Sequence, residues 1–302
     1  MSLTVTVSPH IKSKESVQSV MLDVIISLIP ATILSVWFFK LRPLIVILVC
    51  IISCCLTEYL AQKIMRRENT VSDLSAAVTG LLLAFCLPPS TPFWIAGIGG
   101  MFSIIFGKTI FGGLGHNPFN PALVGRAFLQ LSWPKDTSVW TTPFDALTTA
   151  TPLSITRYGL EGKIPDTFSL FIGNCAGCIG ETSKLALIIG ALYLLYRKHI
   201  KLHIPLSYII TAIIVSVLFK TDPVFHILTG GLVLGAFFMA TDPVTSPVTD
   251  TGKIIFGIGC GLLTILIRLK GGFPEGVCYS ILIMNMVTPF IDKITIRKRF
   301  GA

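Results

Sequence analysis

The stretch LSAAVTGLLLAFCLPPSTPFWIAGIGGMFSIIFG, residues 74–107, contains no charged side chain. It is too long for one membrane helix, which needs about 20 apolar residues, and the proline-rich segment 88–92 divides it into two. Eight further apolar stretches, free of charged residues except for Arg126, predict one span each: Val24–Phe39, Leu44–Thr57, Pro121–Trp133, Leu185–Tyr196, Ile204–Phe219, Val224–Ala240, Ile254–Ile267 and Val277–Ile291. The sequence therefore predicts an all-α polytopic membrane protein with about ten transmembrane helices, in a single membrane domain over residues 1–302.

The composition supports this class. Of the 302 residues, 52% are hydrophobic and 13% are charged, whereas soluble domains carry roughly 25% charged residues. So few charges cannot cover a soluble surface, which excludes a soluble enzyme, a disordered protein and a nucleic-acid binder. The net charge of +9 comes from basic residues dispersed between apolar runs, a pattern typical of topology signals in a lipid bilayer.

The positions of lysine and arginine predict the orientation. The densest basic clusters are residues 63–67, 197–201 and 293–299, and the predicted spans place all three on one side. Because basic loops stay in the cytoplasm, we expect cytoplasmic termini, residues 1–20 and 293–302, in the cell (inner) membrane. Residues 134–184 then form a loop on the outer face. The N-terminal stretch is polar, so we expect no cleaved signal peptide.

Short segments of the two halves resemble each other in the same order. The pairs are Thr79–Leu83 with Thr229–Val233, Gly97–Gly100 with Gly257–Cys260, and Pro121–Val124 with Pro274–Val277. About five spans separate the partners, and an odd number of spans reverses direction, so the pattern predicts two inverted-topology five-helix repeats. The alternative is that these small residues only let helices pack closely and that no repeat exists.

Three polar stretches carry candidate chemistry. The first is GHNPFNPA, residues 115–122, in which the amides of Asn117 and Asn120 either contact the edge of a neutral heteroaromatic ring or cap the following helix. The second, DALTTATPLS over 145–154, is rich in hydroxyl groups and by itself indicates turns. The third, GCIGETS over 177–183, could cap a helix or hold an anionic or ribityl-like ligand.

These stretches, in this order among ten spans, resemble the RnfD/NqrB family of membrane subunits, found in the ion-pumping Rnf complex and in the sodium-translocating NADH:quinone reductase. The resemblance covers essentially the whole chain, and the length is closer to the RnfD branch. The strings that carry it, besides residues 115–122, are SPHI at 8–11, SV at 16–17, FMATDPVT at 238–245 and EGV at 275–277.

The resemblance implies a covalent flavin. In this family a separate flavin transferase attaches FMN to a threonine through a phosphoester, in a motif that Asp145, Thr148, Ala150 and Thr151 match. Thr151 is then the acceptor, on the outer face, while Thr149 stands where the family usually has glycine. A phosphoester leaves the isoalloxazine ring untouched, so the cofactor keeps its redox chemistry while the protein sets its position.

The resemblance also implies a second, non-covalent flavin, riboflavin, nearer the inside, and Asn117 and Asn120 are the expected contacts. We expect four residues to support the FMN: Gly180, Glu181, Thr182 and Ser183. The implied partners are the other Rnf subunits, including an outer-face FMN subunit and small membrane iron–sulfur subunits. Ferredoxin and NAD⁺ are the implied terminal couple, but this chain has no glycine-rich dinucleotide loop after a strand, so neither binds here.

Acidic residues at the ends of spans suggest where a cation is handled. Charge in the membrane is costly and usually serves transport, so Asp242 and Glu275 are candidates for coupling to Na⁺ or H⁺, with helix capping as the alternative. The pair Cys175 and Cys178 has no second pair to complete a metal site, so we expect no metal. A disulfide or a site shared with another subunit stays open for these thiols.

The rival function is a flavin-free secondary transporter or channel built on the inverted repeat. Hydropathy and the repeat fit both functions equally well. Only the motif around Thr151 separates an electron carrier of an oxidoreductase complex from such a transporter.

Overall fold

The computed structural model describes residues 16–144, 148–159 and 165–296, and this part of the chain is predominantly helical. The helices are α1 Val17–Phe39, α2 Arg42–Ile64, α3 Ser75–Phe85, α4 Phe93–Ile104, α5 Pro121–Ser132, α6 Pro152–Tyr158, α7 Thr167–Ile172, α8 Lys184–Tyr196, α9 His203–Leu218, α10 Pro223–Leu228, α11 Leu232–Leu234, α12 Asp250–Lys270 and α13 Val277–Thr295. A 3₁₀ turn covers Val71–Asp73, and two-residue strands β1 Trp140–Thr141 and β2 Thr148–Thr149 form a small antiparallel pair.

Four helices within the described residues, α1, α2, α12 and α13, are long and apolar enough to cross a membrane. The shorter apolar helices are Ser75–Phe85, Lys184–Tyr196, His203–Leu218 and Phe93–Thr109, the last being α4 together with the π-helical turn Ile105–Thr109 that continues it. At about 1.5 Å per residue, helices of 11 to 17 residues fall short of the roughly 30 Å hydrocarbon layer. The four long apolar helices indicate a multi-pass helical membrane protein, while the number of ten spans and the repeat stay predictions.

The predicted span over 224–240 is broken in the structure. It consists of α10, a bend at residues 229–231, α11 and a π-helical turn over Gly235–Met239. The bend needs Gly230, whose φ of +63° is unfavourable for a residue with a side chain. Irregular backbone at membrane depth is tolerated where protein covers it or where it lines a cavity, and this bend lines one.

Helices pack in two similar groups. In the first, α2 contacts α3 and α4, and α4 contacts α5; in the second, α9 contacts α10 and α12, and α12 contacts α13. The two groups meet where α5 packs on α13, and α1 packs on α8 beside them. Close approach depends on small residues, because a Cβ atom on Gly80 of α3 would lie 2.7 Å from the Cα of Ile51 in α2.

Helix α5 runs between two cavities. Helix α5 begins at Pro121 behind the N-cap Asn120, whose side-chain oxygen accepts hydrogen bonds from Ala122 N and Leu123 N. The amide hydrogens at the start of a helix lack partners within the helix, and this cap satisfies two of them. A cavity lies at each end of α5.

Candidate functional site

The Thr151 cavity has a volume of about 420 Å³. Its wall is formed by the C-terminal half of α5, the segment around Thr151, residues 175–184, the bend at 229–230 and the loop 272–275. Four of the predicted site residues line it: Thr151, Glu181, Thr182 and Glu275. The structure therefore brings together residues that are up to 124 positions apart in the sequence.

Thr151 is positioned as the N-cap of α6. Its Oγ1 accepts a hydrogen bond from Ser154 N at 3.2 Å and lies 2.8 Å from the Ser154 hydroxyl. Pro152 follows as the first helical residue, where its missing N–H costs nothing. Thr148 pairs with Thr141 across the small strand pair, and Asp145 lies outside the described residues.

Arg157 fixes the other end of α6. Its guanidinium donates hydrogen bonds to the carbonyl oxygens of Ile267, Arg268, Gly271 and Phe273, at and just beyond the C-terminus of α12. A guanidinium offers several donors in a rigid plane, so one side chain can satisfy carbonyls that the helix end leaves free. The helix that begins at Thr151 is thereby attached to the loop that carries Glu275.

Glu181 and Glu275 lie side by side in the cavity wall. Their carboxylate oxygens and the Cys178 sulfur fall within 4.8 Å of one another. Glu181 Oε1 accepts from Cys178 N at 2.9 Å, and Glu275 Oε1 accepts from Gly231 N at 2.7 Å. Burial, followed by the Glu275 carboxylate, raises the pKa of Glu181 well above that of an ordinary glutamate. Glu181 is therefore suited to holding a proton.

The cysteines near this pair act as neutral groups. The Cys178 thiol donates to the carbonyl oxygen of Cys86 at 3.0 Å, and burial raises the pKa of Cys178. Cys175 and Cys178 are both free thiols, so the structure contains no disulfide between them. A thiolate is the form that binds metals, so the donor set does not favour a metal here.

Two buried cations that were not among the predicted site residues line the Thr151 cavity. Arg126 of α5 is 4% exposed, and its Nη1 has no hydrogen-bond partner within the described residues. Lys184, at the start of α8, donates to the carbonyl oxygens of Glu181 and Gly230. The available signal was that Arg126 is a lone charge inside a predicted span, where charge is costly.

Two other predicted residues have packing roles. The N–H of Gly180 donates to Phe85 O at 3.0 Å, and a Cβ atom there would lie 2.3 Å from the Phe85 ring. Ser183 caps α8, since its hydroxyl accepts from Ala186 N at 3.3 Å. Glu181 and Thr182 thus face the cavity, whereas Gly180 and Ser183 shape the chain beside it.

The Asn117 cavity, at the other end of α5, measures about 100 Å³ and is lined by Asn117, Asn120 and Asp242 among others. Asn120 is a helix cap, and its amide also donates to Met239 O at 3.3 Å. Asn117 donates to Phe119 O at 3.0 Å, while its buried Oδ1 has no partner within the described residues. Asp242 accepts from Val244 N and the Thr245 hydroxyl, and burial raises its pKa.

The two cavities differ in what they can hold. Ligand sites usually measure roughly 300–1,000 Å³. The Thr151 cavity falls in this range and offers a hydroxyl and a guanidinium whose Nη1 has no partner within the described residues, so its size and charge suit an anionic ligand as large as a nucleotide. At about 100 Å³, the Asn117 cavity does not fit a three-ring flavin in this conformation, although Asn117 Oδ1 is a free acceptor for a ring N–H.

Comparison with known proteins gives the family. The profile of the NQR2, RnfD, RnfE family matches residues 4–301. The chain is 49% identical to the subunit designated D of the Na⁺-translocating ferredoxin:NAD⁺ oxidoreductase complex of Acetobacterium woodii, over the whole chain and 96% of the relative. It is 47% identical to the corresponding subunit of the proton-translocating complex of Clostridium ljungdahlii, over 99% and 96% of the two chains. It is 34% identical to that of the ion-translocating oxidoreductase complex of Escherichia coli O81, over 100% and 99%. The predicted resemblance is thus confirmed, and the chain belongs to the NQR2, RnfD, RnfE family.

Proposed function

We propose that the chain is the electron-transferring RnfD membrane component of an ion-translocating ferredoxin:NAD⁺ oxidoreductase and that it carries FMN on Thr151. The names of three relatives support the complex and the place of the chain in it. The other subunits are then its partners, among them an outer-face FMN subunit and small membrane iron–sulfur subunits. Ferredoxin and NAD⁺ bind to those partners.

One observation carries this proposal. A single cavity of about 420 Å³ joins the Thr151 hydroxyl to two buried cations, Arg126 and Lys184, and to the polar wall at Glu181 and Thr182. FMN needs an attachment oxygen, a counter-charge for its phosphate and room for its ring, and this cavity offers all three. When bound, FMN supplies one- and two-electron redox chemistry.

The residues of the chain would act by holding and orienting the cofactor. A flavin transferase would esterify Thr151 Oγ1, leaving Ser154, 2.8 Å away, as its hydrogen-bonding neighbour. Arg157 holds α6 against the C-terminus of α12, so the attachment point is fixed relative to the opposite wall. Glu181 and Glu275 would keep a proton within reach of the cavity.

A second flavin, riboflavin, is proposed at the Asn117 cavity. The support is the free acceptor of Asn117, the amide of Asn120 and the position at the opposite end of α5 from the Thr151 cavity. Asn120 lies about 15 Å from Gln130 along the helix axis, from the rise per residue. Because the cavity is only about 100 Å³, riboflavin binding would have to widen it.

We further propose ten spans in the inner membrane, cytoplasmic termini and an outer-face Thr151. Matching glycine contacts support the inverted repeat. A Cβ on Gly99 of α4 would meet Leu129 of α5, and a Cβ on Gly259 of α12 would meet Met284 of α13. Equivalent glycines therefore face the equivalent following helix in each half.

Asp242 and Glu275 are proposed for cation coupling. Asp242 lines the Asn117 cavity and Glu275 lines the Thr151 cavity, so each lies beside one proposed flavin position. Charge in such places usually serves transport. The cation is Na⁺ or H⁺, since relatives of both kinds match this chain.

The proposal is tested by Thr151→Val, which keeps the shape of threonine but removes the hydroxyl. The protein is produced together with its flavin transferase and analysed by intact mass spectrometry and in-gel fluorescence. We expect an FMN-sized adduct on the wild type and none on Thr151→Val. Ser138→Ala is the matched control, because it removes a hydroxyl group that lines the same cavity outside the attachment motif and should leave the adduct unchanged.

The outcome also decides between the two functions. A colourless wild-type protein from cells that contain the transferase would contradict the electron-carrier proposal and favour the flavin-free transporter. An adduct that persists on Thr151→Val would contradict the attachment site alone.

A further inference from the structure

Arg126 has an unusual position for a charged side chain. It lies in the middle of α5 and is 4% exposed. Its guanidinium nitrogen Nη1 has no hydrogen-bond partner within the described residues. Arginine stays protonated at every accessible pH, so the protein cannot remove this charge by deprotonation. A buried, incompletely paired cation destabilises a folded protein unless an anion accompanies it.

The nearby carboxylates do not form an ion pair with Arg126 within the described residues. Arg126, Glu181 and Glu275 together line a second void of about 20 Å³, so the three are neighbours. Among the ion pairs of the described residues, however, none joins Arg126 to either glutamate. Both carboxylates accept from backbone amides instead, and burial raises the pKa of Glu181, which favours its neutral form.

Other cations add to the surplus. Lys184 lines the Thr151 cavity. Arg268 lies behind the cavity wall, beside the lining residue Gly230, and donates to the carbonyl oxygens of His226 and Thr229. Backbone carbonyls are neutral, so these contacts do not cancel either charge. The region thus holds three cations against two adjacent carboxylates, and the surplus favours an anionic ligand in the cavity.

We propose that Arg126 binds an anionic oxygen of the flavin nucleotide attached at Thr151. This inference rests on the proposed function. The esterified phosphate carries one negative charge, and the pyrimidine edge of the reduced ring is the other possible source of an anionic oxygen. A guanidinium suits both, because it can donate two parallel hydrogen bonds to adjacent acceptors.

The test is a comparison of two backgrounds. Arg126→Gln is made in the wild type, which is flavinylated, and in Thr151→Val, which lacks the attachment oxygen, and melting temperatures are measured in detergent. Without the flavin, removal of a buried unpaired charge should leave the melting temperature unchanged or raise it. With the flavin, the same substitution should lower it, because the anion loses its partner.

Gln130→Leu is the matched control. Gln130 lies one turn further along α5, lines the same cavity and is uncharged, so its substitution should have the same effect in both backgrounds. Arg126→Lys keeps the charge but loses the planar donor pair, and it should retain part of the coupling. It also replaces Arg126→Gln if that variant does not fold.

The flavin midpoint potential identifies the source of the anionic oxygen. A more negative potential in Arg126→Gln indicates contact with the reduced ring, and an unchanged potential together with the thermal coupling indicates the phosphate. Equal thermal effects of Arg126→Gln in the two backgrounds would overturn the inference while leaving the Thr151 adduct intact. Absence of the adduct from the wild type would instead overturn the proposed function.

Discussion

At the scale of single residues, Glu181 gives the stability of the protein a dependence on pH. The carboxyl groups of Glu181 and Glu275 sit in a wall formed by backbone amides, thiols and cations. The groups that face the pair are Arg126 from α5, Lys184 from α8, Arg268 from α12 and the thiols of Cys86, Cys178 and Cys278. Because burial and the neighbouring carboxylate raise the pKa of Glu181, the folded protein holds this proton more tightly than the unfolded chain.

The sign of the resulting pH dependence follows from linkage. Stability from a raised carboxyl pKa is fully present below the unfolded value of about 4.3 and is lost as the pH rises through the folded value. Between these two pKa values, the titration of Glu181 should lower the free energy of unfolding of the wild type by up to about 1.4 kcal/mol per pH unit. Glu181→Gln should therefore melt with a weaker dependence on pH than the wild type between pH 5 and pH 8.

The control for this measurement is Glu68→Gln, since Glu68 is exposed on the loop after α2. Its pH dependence should follow that of the wild type. If Glu181→Gln and the wild type lose stability in parallel between pH 5 and pH 8, the raised pKa of Glu181 is contradicted.

The sequence predicted the neutral and acidic residues of the cavity better than the basic ones. Thr151, Glu181, Thr182 and Glu275 stand in recognisable polar stretches, and the structure brings them into one wall. Arg126 stands alone among apolar residues, and its importance depends on what lies across the cavity, which only the tertiary structure reveals. Gly180 and Ser183 stand in the same polar stretch as Glu181, but they pack against the protein and cap a helix instead of lining the cavity.

At the scale of secondary-structure elements, charge-free runs located the long helices and the proline-rich break. The predicted spans over 24–39 and 44–57 fall inside α1 and α2, and segment 88–92 separates α3 from α4. The run over 224–240 gave no sign of its bend, because hydropathy does not report backbone direction. That bend follows from Gly230 and from contacts with Leu153 and Arg268 that are distant in sequence.

Helix contact distances give a test at this scale. A Cβ atom on Gly80 would lie 2.7 Å from Ile51 Cα and 2.8 Å from Cys50 O, so Gly80→Ala should separate α3 from α2 and destabilise the protein by about 1–3 kcal/mol. Gly97→Ala is the matched control, because its nearest neighbour, Val49 Cγ1, would be 3.9 Å away. The Gly97 variant should be neutral or more stable, by the helix preference for alanine.

Thermal unfolding in detergent measures both variants. Equal melting temperatures for Gly80→Ala and Gly97→Ala would mean that the α2–α3 contact is looser than the structure indicates.

At the scale of the whole molecule, the proposed orientation can be measured in intact cells. Tyr158 at the end of α6 and Tyr196 at the end of α8 are 54% and 84% exposed, and the proposed topology puts them on opposite faces. A membrane-impermeant thiol reagent should label Tyr158→Cys and spare Tyr196→Cys, while a permeant reagent labels both. The wild type provides the background, since its cysteines are buried or half-buried. Labelling of Tyr196→Cys alone by the impermeant reagent would indicate the opposite orientation and contradict the proposed topology.

The attachment of Arg157 to the end of α12 has a mechanical consequence. Because one guanidinium joins α6 to the carbonyls at and beyond the C-terminus of α12, a tilt of that long helix would carry the short helix with it. Thr151, at the opposite end of α6, would then travel as the tip of a lever about 10 Å long, from the helical rise of its seven residues. In the proposed function, a tilt of α12 would therefore change the distance between a flavin on Thr151 and its electron-transfer partner.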